Sequence, residues 1–444
     1  MNPILLHDRP PSDQAAAPPL FALESNYDYT SKYRRQSRRV EQASLTLLFF
    51  ADSIVLLPRS GNGRRMLEAL EARLPLRRDA RDEQARSLAL DAAAPLRHRL
   101  EQLRQLPAHF QADAGFGLYG FFAYELIHAQ LGLPCDLLGI FHLPERLLAD
   151  GQARGYFIGP AADDGQAPPP PDLARFIDID RFAAGRCQPY EQIYRAVSLR
   201  IADGALRSVN PSFVIRRPTT RSAYQIYRAL QENNLAPYNL FFDAGAFQLA
   251  GASPAMFLRI HGGRVETSPI CGTAARGRSE EEDRLRMETL LASEKDGFEL
   301  AECIRADIAA KEASCQDVEL LAAKEIEKFA NVFHTSAHVG ATLKAGCTPG
   351  DAIADHLWPA TIIGTPAADA ARLLAGQESR HWYGGAFGYL TAAGEVNLGT
   401  IIRTALIRDG VATTRVGSTL TRHSSAQLEQ QELEAKAALI LGVL

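Results

Sequence analysis

The feature that most constrains the fold is a series of short apolar segments separated by turn residues. Residues 239–242, 247–250 and 256–260 are mostly apolar, with turns at Ala244-Gly245 and Gly262-Gly263. Segments of this length joined by glycine turns predict successive antiparallel strands. Residues 44–50 and 53–57 predict a second pair of buried strands.

Other parts of the chain show helical spacing of apolar residues. This pattern predicts helices over residues 63–74, 88–106, 190–205 and 220–232, and a long acidic helical region from Ser279. Neither GxGxxG nor GxxxxGK[ST] occurs. The sequence therefore predicts an α+β fold rather than a βαβ array.

Composition divides the chain into four parts. Residues 1–20 are rich in Pro, Ala and Asp, which predicts a disordered leader. Residues 161–171 contain Asp163-Asp-Gly-Gln-Ala and four consecutive prolines, which predicts a linker. The two remaining parts, residues 21–160 and 172–444, are predicted to be structured.

Size, charge and cysteine usage narrow the class of protein. The chain has 444 residues, and a hydrophobic content of 46% is ample for a large core. A formal net charge of −4 favours neither nucleic acid nor an anionic membrane as a partner. The six cysteines are dispersed without metal-ligand spacing, and no apolar run approaches the ~18 residues of a membrane span. These features predict a cytoplasmic protein.

The C-terminal end carries the residue types of an anion-binding site. They are the glycine-rich segment Tyr383-Gly-Gly-Ala-Phe-Gly-Tyr389, then Arg403, Gly417, Glu429, Glu432 and Lys436. An Arg offers a planar fork to a carboxylate, and a glycine-rich turn lets backbone N–H groups approach a ligand. Two carboxylates on one helix face suit Mg²⁺ beside an anionic substrate. The alternative for the helix alone is a solvated face with an i,i+4 Glu–Lys pair.

The order of short motifs over the C-terminal half resembles the chorismate-utilising enzymes, in particular the synthase component of anthranilate synthase. The motifs are Gly251-Ala-Ser-Pro254, Pro269-Ile-Cys-Gly-Thr273 with Arg276-Gly277, Arg305-Ala-Asp307, His334, Trp358 to Pro366, Tyr383-Gly-Gly-Ala386, Ile402-Arg-Thr404, Gly417, and Glu429 to Lys436. Leu23 to Tyr29 and Gly117 to Tyr124 resemble segments of anthranilate synthases that are fused to a glutaminase. The resemblance implies two α/β subdomains with stacked antiparallel sheets and an active site between them.

The resemblance assigns expected roles to individual residues. His334 is the expected catalytic residue for proton handling. Tyr383, Arg403 and Lys436, with backbone groups around Gly417 and Ser418, are the expected substrate ligands. The expected Mg²⁺ ligands are Glu429, Glu432 and Asp296.

The chain departs from the family pattern at several of these positions. Ala255 stands where the family has a Glu that acts as acid for the departing hydroxyl. Ser293 and Asp296 are expected to be the pair facing Glu429 and Glu432, which would weaken the Mg²⁺ site. Further departures are at Ile363, Ala367 and Ser208, the last where relatives have a water-activating Lys or a Gln.

Cys271 occupies the place of a small residue in the Pro-Ile-Cys-Gly-Thr motif. It is interpreted as a small buried side chain, and the alternative is a thiolate nucleophile.

The sequence supports two functional hypotheses. The first is a divergent enzyme that acts on chorismate or a related cyclohexadiene dicarboxylate in secondary metabolism, with a glutaminase subunit and a second copy of the chain as candidate partners. The second is a non-catalytic relative that binds such an anion or regulates an active synthase subunit.

Overall fold

The computed structural model describes residues 4–7, 17–27, 32–159, 170–422 and 424–444, without the side chains of Cys187, Tyr190 and Leu428. Its helices are Gly61–Glu71, Leu96–Gln105, Leu126–Leu131, Ile179–Ala184, Tyr190–Ala202, Ala223–Asn233, Glu280–Ala292, Glu294–Ser314, Pro349–Asp355, Ala360–Ile363, Ala367–Gln377 and Ala426–Leu441. None of the described helices is both long and apolar enough to cross a membrane.

Twenty of the described strands form one antiparallel network that closes on itself. They are Phe21–Ser25, Gln36–Phe50, Ser53–Pro58, Arg77–Asp79, Asp82–Ala89, Gly117–Phe122, Leu137–Ala149, Gln152–Gly155, Ser212–Pro218, Tyr238–Asp243, Gln248–Ser253, Met256–His261, Arg264–Thr267, Ile270–Ala275, Cys315–Lys328, Val332–Leu343, Ala386–Thr391, Val396–Thr400, Thr404–Arg408 and Val411–Gly417. Helices pack against this curled sheet. The α+β prediction is confirmed.

The remaining described strands are short. Ile4–Leu5 pairs in parallel with Phe110–Gln111, so these residues of the predicted leader belong to the fold. Arg186–Cys187 pairs with Glu378–Ser379. Ser208–Val209 lies between Gly364–Thr365 and Leu420–Thr421.

The sheet runs across the two predicted structured parts. Phe21–Ser25 pairs with Gln36–Phe50 on one side and with Tyr238–Asp243 on the other. Residues 161–169 of the predicted linker lie outside the described residues, so the division into parts stays a prediction.

Most predicted elements are present, with two corrections. Residues 88–106 are not one helix, because Leu88 and Ala89 end a strand and the helix begins at Leu96 after Pro95, whose ring suits a helix start. Met256–His261 does not pair with the strand before it. It pairs with Val396–Thr400 and Arg264–Thr267, since Ser253 and Met256 belong to strands with different partners.

Candidate active site

A cavity of about 870 Å³ lies between the curled sheet and the helices that cover its open side. One wall comes from Met256–His261 and Ile270–Ala275, and the facing walls come from Glu294–Ser314 and Ala426–Leu441. Val416, Leu433 and Ala437 bury the apolar side of the last helix against the sheet, which turns its charged side toward the cavity.

The cavity brings together most of the residues predicted from sequence. The predicted residues that line it are Asp296, His334, Tyr383, Arg403, Gly417, Glu432 and Lys436. Ser418 and Glu429 are buried beside it and are not part of its lining. Residues far apart in the chain therefore meet at one site.

Arg403 and His334 are in direct contact at the floor of the cavity. Nη2 of Arg403 lies 2.5 Å from Nε2 of His334. Nδ1 of His334 lies 3.0 Å from the carbonyl oxygen of Gly272, which can only accept a hydrogen bond. Nδ1 therefore carries the proton, and Nε2 accepts from the guanidinium. Burial and the charge of Arg403 lower the pKa of His334 well below its usual value, which agrees with a neutral ring.

Arg403 is a buried cation without an anionic partner. Its residue is 7% exposed, and its backbone has a φ of 51° in the bend before Thr404–Arg408. Burial lowers its pKa to about 10, and no carboxylate among the described residues offsets this. Because a buried charge is unfavourable unless paired, this guanidinium is prepared to receive an anion from the cavity.

Tyr383, Gly417 and Lys436 form the side of the cavity next to Arg403. Nζ of Lys436 donates to the carbonyl of Gly417 over 3.1 Å and pairs with Glu432. Burial lowers the pKa of Lys436, but Glu432 outweighs it and the net pKa is raised. A side chain at position 417 would come within 2.4 Å of Oδ1 of Asn210 and 3.0 Å of the Tyr383 hydroxyl. Glycine is therefore required for this close approach.

The glycine-rich turn acts differently from the expectation that its N–H groups contact a ligand. Gly384, with a φ of 78°, donates its N–H to the carbonyl of Ile401, and Gly385 donates to Trp382. These N–H groups are used inside the protein. The turn therefore serves to place Tyr383 in the cavity wall.

Four carboxyl groups gather where the two long helices face each other. They are Asp296, Glu299, Glu429 and Glu432, with Lys295 among them. Burial raises the pKa of Glu299 to about 7, and the neighbouring carboxylates add to this. Burial also raises the pKa of Glu429. Oε1 of Glu299 and Oε2 of Glu429 are buried without a hydrogen-bond partner.

The predicted role of Ser293 is wrong. Its hydroxyl accepts from the N–H of Asp296 over 3.2 Å and caps the helix Glu294–Ser314, and it does not line the cavity. The residue one turn beyond Asp296 is Glu299, which does line the cavity. Sequence reasoning missed Glu299 because it placed the facing pair one turn too early.

The carboxyl cluster fits a hard cation in its chemistry. Oxygen ligands are what Mg²⁺ prefers, and two buried carboxyl oxygens lack hydrogen-bond partners here. Within the described residues, no three acidic, His or Cys groups stand at metal-binding distance. Lys295 lies 3.9 Å from Glu429, and Lys436 pairs with Glu432.

The positions that depart from the family pattern divide into two sets. Ala255 and Ala367 line the cavity, and their side chains are single methyl groups. Ile363 is fully buried outside the lining, and Ser208 lies 3.0 Å from the hydroxyl of Thr365. The cavity wall at Ala255 therefore offers no acid.

A polar cluster not predicted from sequence lies around Thr267. The fully buried Nζ of Lys311 contacts Oγ1 of Thr267, Oδ2 of Asp307 at 2.8 Å and Nε2 of His356 at 3.4 Å. Thr267, Asp307 and His356 line the cavity. The only sequence signal was the position of Asp307 in the Arg-Ala-Asp motif.

Cys271 packs against a second thiol in the cavity wall. Its Sγ lies 3.2 Å from Sγ of Cys303. The hydrogen bond with Cys303 and burial raise the pKa of Cys271 well above its usual value. The side chain is a neutral thiol, which favours the interpretation as a small buried residue.

Comparison with known proteins agrees with the motifs and the geometry. The chain is 31% identical to the anthranilate synthase of Azospirillum brasilense over 94% of its own length and 62% of that protein. The anthranilate synthase component I of Streptococcus pneumoniae has a TM-score of 0.66 at 23% identity, covering 94% of both chains. The menaquinone-specific isochorismate synthase of Escherichia coli has a TM-score of 0.64 at 18% identity, covering all of this chain and 96% of that one.

These structures share the fold described above. The family model for chorismate binding enzymes matches residues 29–442, which include every cavity residue discussed here. The chain belongs to the chorismate binding enzyme family.

Proposed function

We propose that the chain is an enzyme of secondary metabolism that binds chorismate, or a closely related cyclohexadiene dicarboxylate, in the 870 Å³ cavity and converts it. The observation that carries this proposal is the buried guanidinium of Arg403, which faces the cavity without an anionic partner among the described residues. Tyr383 and Lys436 lie on the same side and complete a receptor for one carboxylate.

Ligand binding would change the hydrogen bonding of His334. A carboxylate that takes the donors of Arg403 competes with Nε2 of His334 for the same guanidinium. The carbonyl of Gly272 keeps Nδ1 protonated, so the freed Nε2 is a lone pair beside the bound ring. His334 can then take a proton from the substrate.

The acidic cluster is proposed to hold Mg²⁺ next to the second carboxylate of the substrate. Asp296, Glu299, Glu429 and Glu432 would be its protein ligands. The ion would neutralise that carboxylate and polarise it. Lys295 lies 3.9 Å from Glu429, and Lys436 pairs with Glu432. Binding of Mg²⁺ therefore requires both ammonium groups to move away from these carboxylates.

Ala255 limits the expected rate of anthranilate formation. A positioned general acid contributes roughly 10²–10⁴ in rate, and position 255 has none. Ordinary anthranilate formation should therefore be slow, and a substrate that needs no acid at this position is favoured. The same observation supports the second candidate function, a non-catalytic chorismate-binding protein.

Mass analysis of all products separates these functions. The wild type is incubated with chorismate, isochorismate and aminated relatives, with and without Mg²⁺ and ammonium. A redirected enzyme transforms one of these ligands in the wild type, and Ala255→Glu gains no synthase activity. A wild type that is inert toward the whole panel, together with anthranilate formation by Ala255→Glu, establishes the non-catalytic function instead. Fast anthranilate formation by the wild type would show that another group replaces the missing acid.

A glutaminase subunit and a homodimer remain predictions for the assembly. Size-exclusion chromatography with light scattering tests whether the chain is a homodimer. If a glutaminase subunit supplies ammonia, activity with glutamine requires an added glutaminase, whereas activity with ammonium does not.

A further inference from the structure

A second cavity of about 370 Å³ lies apart from the substrate cavity and shares no lining residue with it. Its walls come from the helices Leu126–Leu131, Ile179–Ala184 and Ala367–Gln377 and from the strand pair of Arg186–Cys187 with Glu378–Ser379. Four buried titratable residues line it, Glu125, His128, Glu378 and His381.

Glu125, which lines this cavity, has a carboxylate oxygen without a hydrogen-bond partner. Its Oε1 accepts the backbone N–H groups of Arg380 at 3.1 Å and His381 at 3.0 Å. Its Oε2 is buried and has no hydrogen-bond partner, and the residue is 5% exposed. Nδ1 of His381 is 3.8 Å from Oε1, which is beyond hydrogen-bond distance.

His128 adds a second ring nitrogen without a partner. Its Nδ1 lies 3.2 Å from the carbonyl oxygen of Pro134 and donates to it, which leaves Nε2 for a second contact. That Nε2 is buried without a partner, as is Nε2 of His381. Burial lowers the pKa of His381, so its ring is neutral at pH 7. Leaving such atoms unpaired is unfavourable, and a ligand with N–H donors would satisfy them.

The charges around the cavity leave one anion and one cation unmatched. Glu378 pairs with Arg380 and Arg415 inside the protein, and Asp136 pairs with Arg181 at 3.4 Å. Arg186 lines the cavity, and its Nη2 donates to the carbonyl of Ala375. No carboxylate of the described residues pairs with Arg186. What remains is the Glu125 carboxylate deep in the cavity and the Arg186 guanidinium at its exposed side.

We propose that this cavity binds a small zwitterion with a primary ammonium group and a carboxylate, as in an α-amino acid. The ammonium would donate to Oε2 of Glu125 and Nε2 of His128, and the carboxylate would face Arg186. One carboxylate oxygen and two imidazole nitrogens without hydrogen-bond partners suit a ligand that carries several N–H donors. The volume of about 370 Å³ also exceeds the ~30 Å³ that a single water or ammonium needs. This proposal does not depend on the proposed function.

Isothermal titration with each of the twenty common L-amino acids tests the site, with methylamine and acetate as probes of its two halves. We expect at least one amino acid to bind saturably with one site per chain, and each half-ligand to bind more weakly. Glu125→Gln keeps an oxygen for the two backbone N–H groups but replaces Oε2 by an N–H donor. It should weaken binding by roughly tenfold to 100-fold.

Arg186→Gln is the second variant, because Arg186 is exposed and its loss should not disturb folding. It should also weaken amino-acid binding by roughly tenfold or more. Arg372→Gln is the matched control, since it removes an exposed arginine from a helix of the same wall but outside the cavity. Arg403→Gln should leave amino-acid binding unchanged.

Three results would overturn the proposal. One is the absence of saturable binding of any amino acid at about 10 mM, where weak millimolar sites are still detected. Another is binding that survives Arg186→Gln unchanged. The third is binding that Arg403→Gln removes, because this would place the amino acid in the substrate cavity.

Discussion

Arg403 donates to Nε2 of His334 across the floor of the substrate cavity, and no carboxylate among the described residues competes for this guanidinium. In this contact, the partner of the buried Arg403 cation is the neutral imidazole of His334. A neutral acceptor binds a guanidinium more weakly than a carboxylate does. A dicarboxylate ligand is therefore expected to replace His334 at Arg403. In this way, substrate binding and release of the base depend on the same hydrogen bond.

Gly417→Ala tests how closely the substrate wall is packed. The added methyl would lie 2.4 Å from Oδ1 of Asn210, so the wall must move. We expect the free energy of unfolding to fall by roughly 1–3 kcal/mol and chorismate binding to weaken. Gly376→Ala is the control, because its methyl meets no atom within 4 Å in a helix. It should raise the free energy of unfolding by roughly 0.5–1 kcal/mol.

Chemical denaturation at several pH values tests the Lys311 cluster. Burial, with the charge of Lys311, lowers the pKa of His356 from 6.5 to about 4. Between these values the unfolded chain binds a proton that the folded chain does not, so acidification from pH 6.5 to 4 destabilises the fold. This His contributes at most about 1.4 kcal/mol per pH unit. His356→Gln should reduce the slope of stability against pH over this range, and an unchanged slope would contradict the assignment.

Glu299→Gln tests the proposed Mg²⁺ site. We expect it to weaken Mg²⁺ binding, measured by titration with chorismate present, by at least about tenfold. Ser293→Glu should leave Mg²⁺ affinity unchanged, because Ser293 caps the helix outside the cavity. Tighter Mg²⁺ binding by Ser293→Glu would instead support the sequence-based prediction that position 293 belongs to the Mg²⁺ site.

The difference between the two assignments shows what local pattern can and cannot predict. The resemblance indicated Asp296, which lines the cavity, but motif order could not fix which neighbour one turn away shares that face. The answer depends on where the helix starts. Ser293 has the spacing of a helix cap before the N–H of Asp296, and this signal was present in the sequence.

Contacts between segments that are far apart in the chain could not be predicted from local sequence patterns. Strand and helix types followed from periodicity, whereas the closure of the sheet depends on pairings such as Gly117–Phe122 with Ala386–Thr391. The pairing of Arg403 with His334 joins residues 69 positions apart through a left-handed bend. Motif order indicated that these residues share a site, but only the folded backbone shows that they touch.

Binding of chorismate to the wild type and to Arg403→Gln tests the central claim most directly. A ligand that binds only the native state, at about 100 times its dissociation constant, adds about 2.7 kcal/mol to the free energy of unfolding. Thermal unfolding with and without chorismate should show this stabilisation in the wild type and in the control Arg372→Gln, and none in Arg403→Gln. Equal stabilisation of all three proteins, or none in the wild type, would contradict the account.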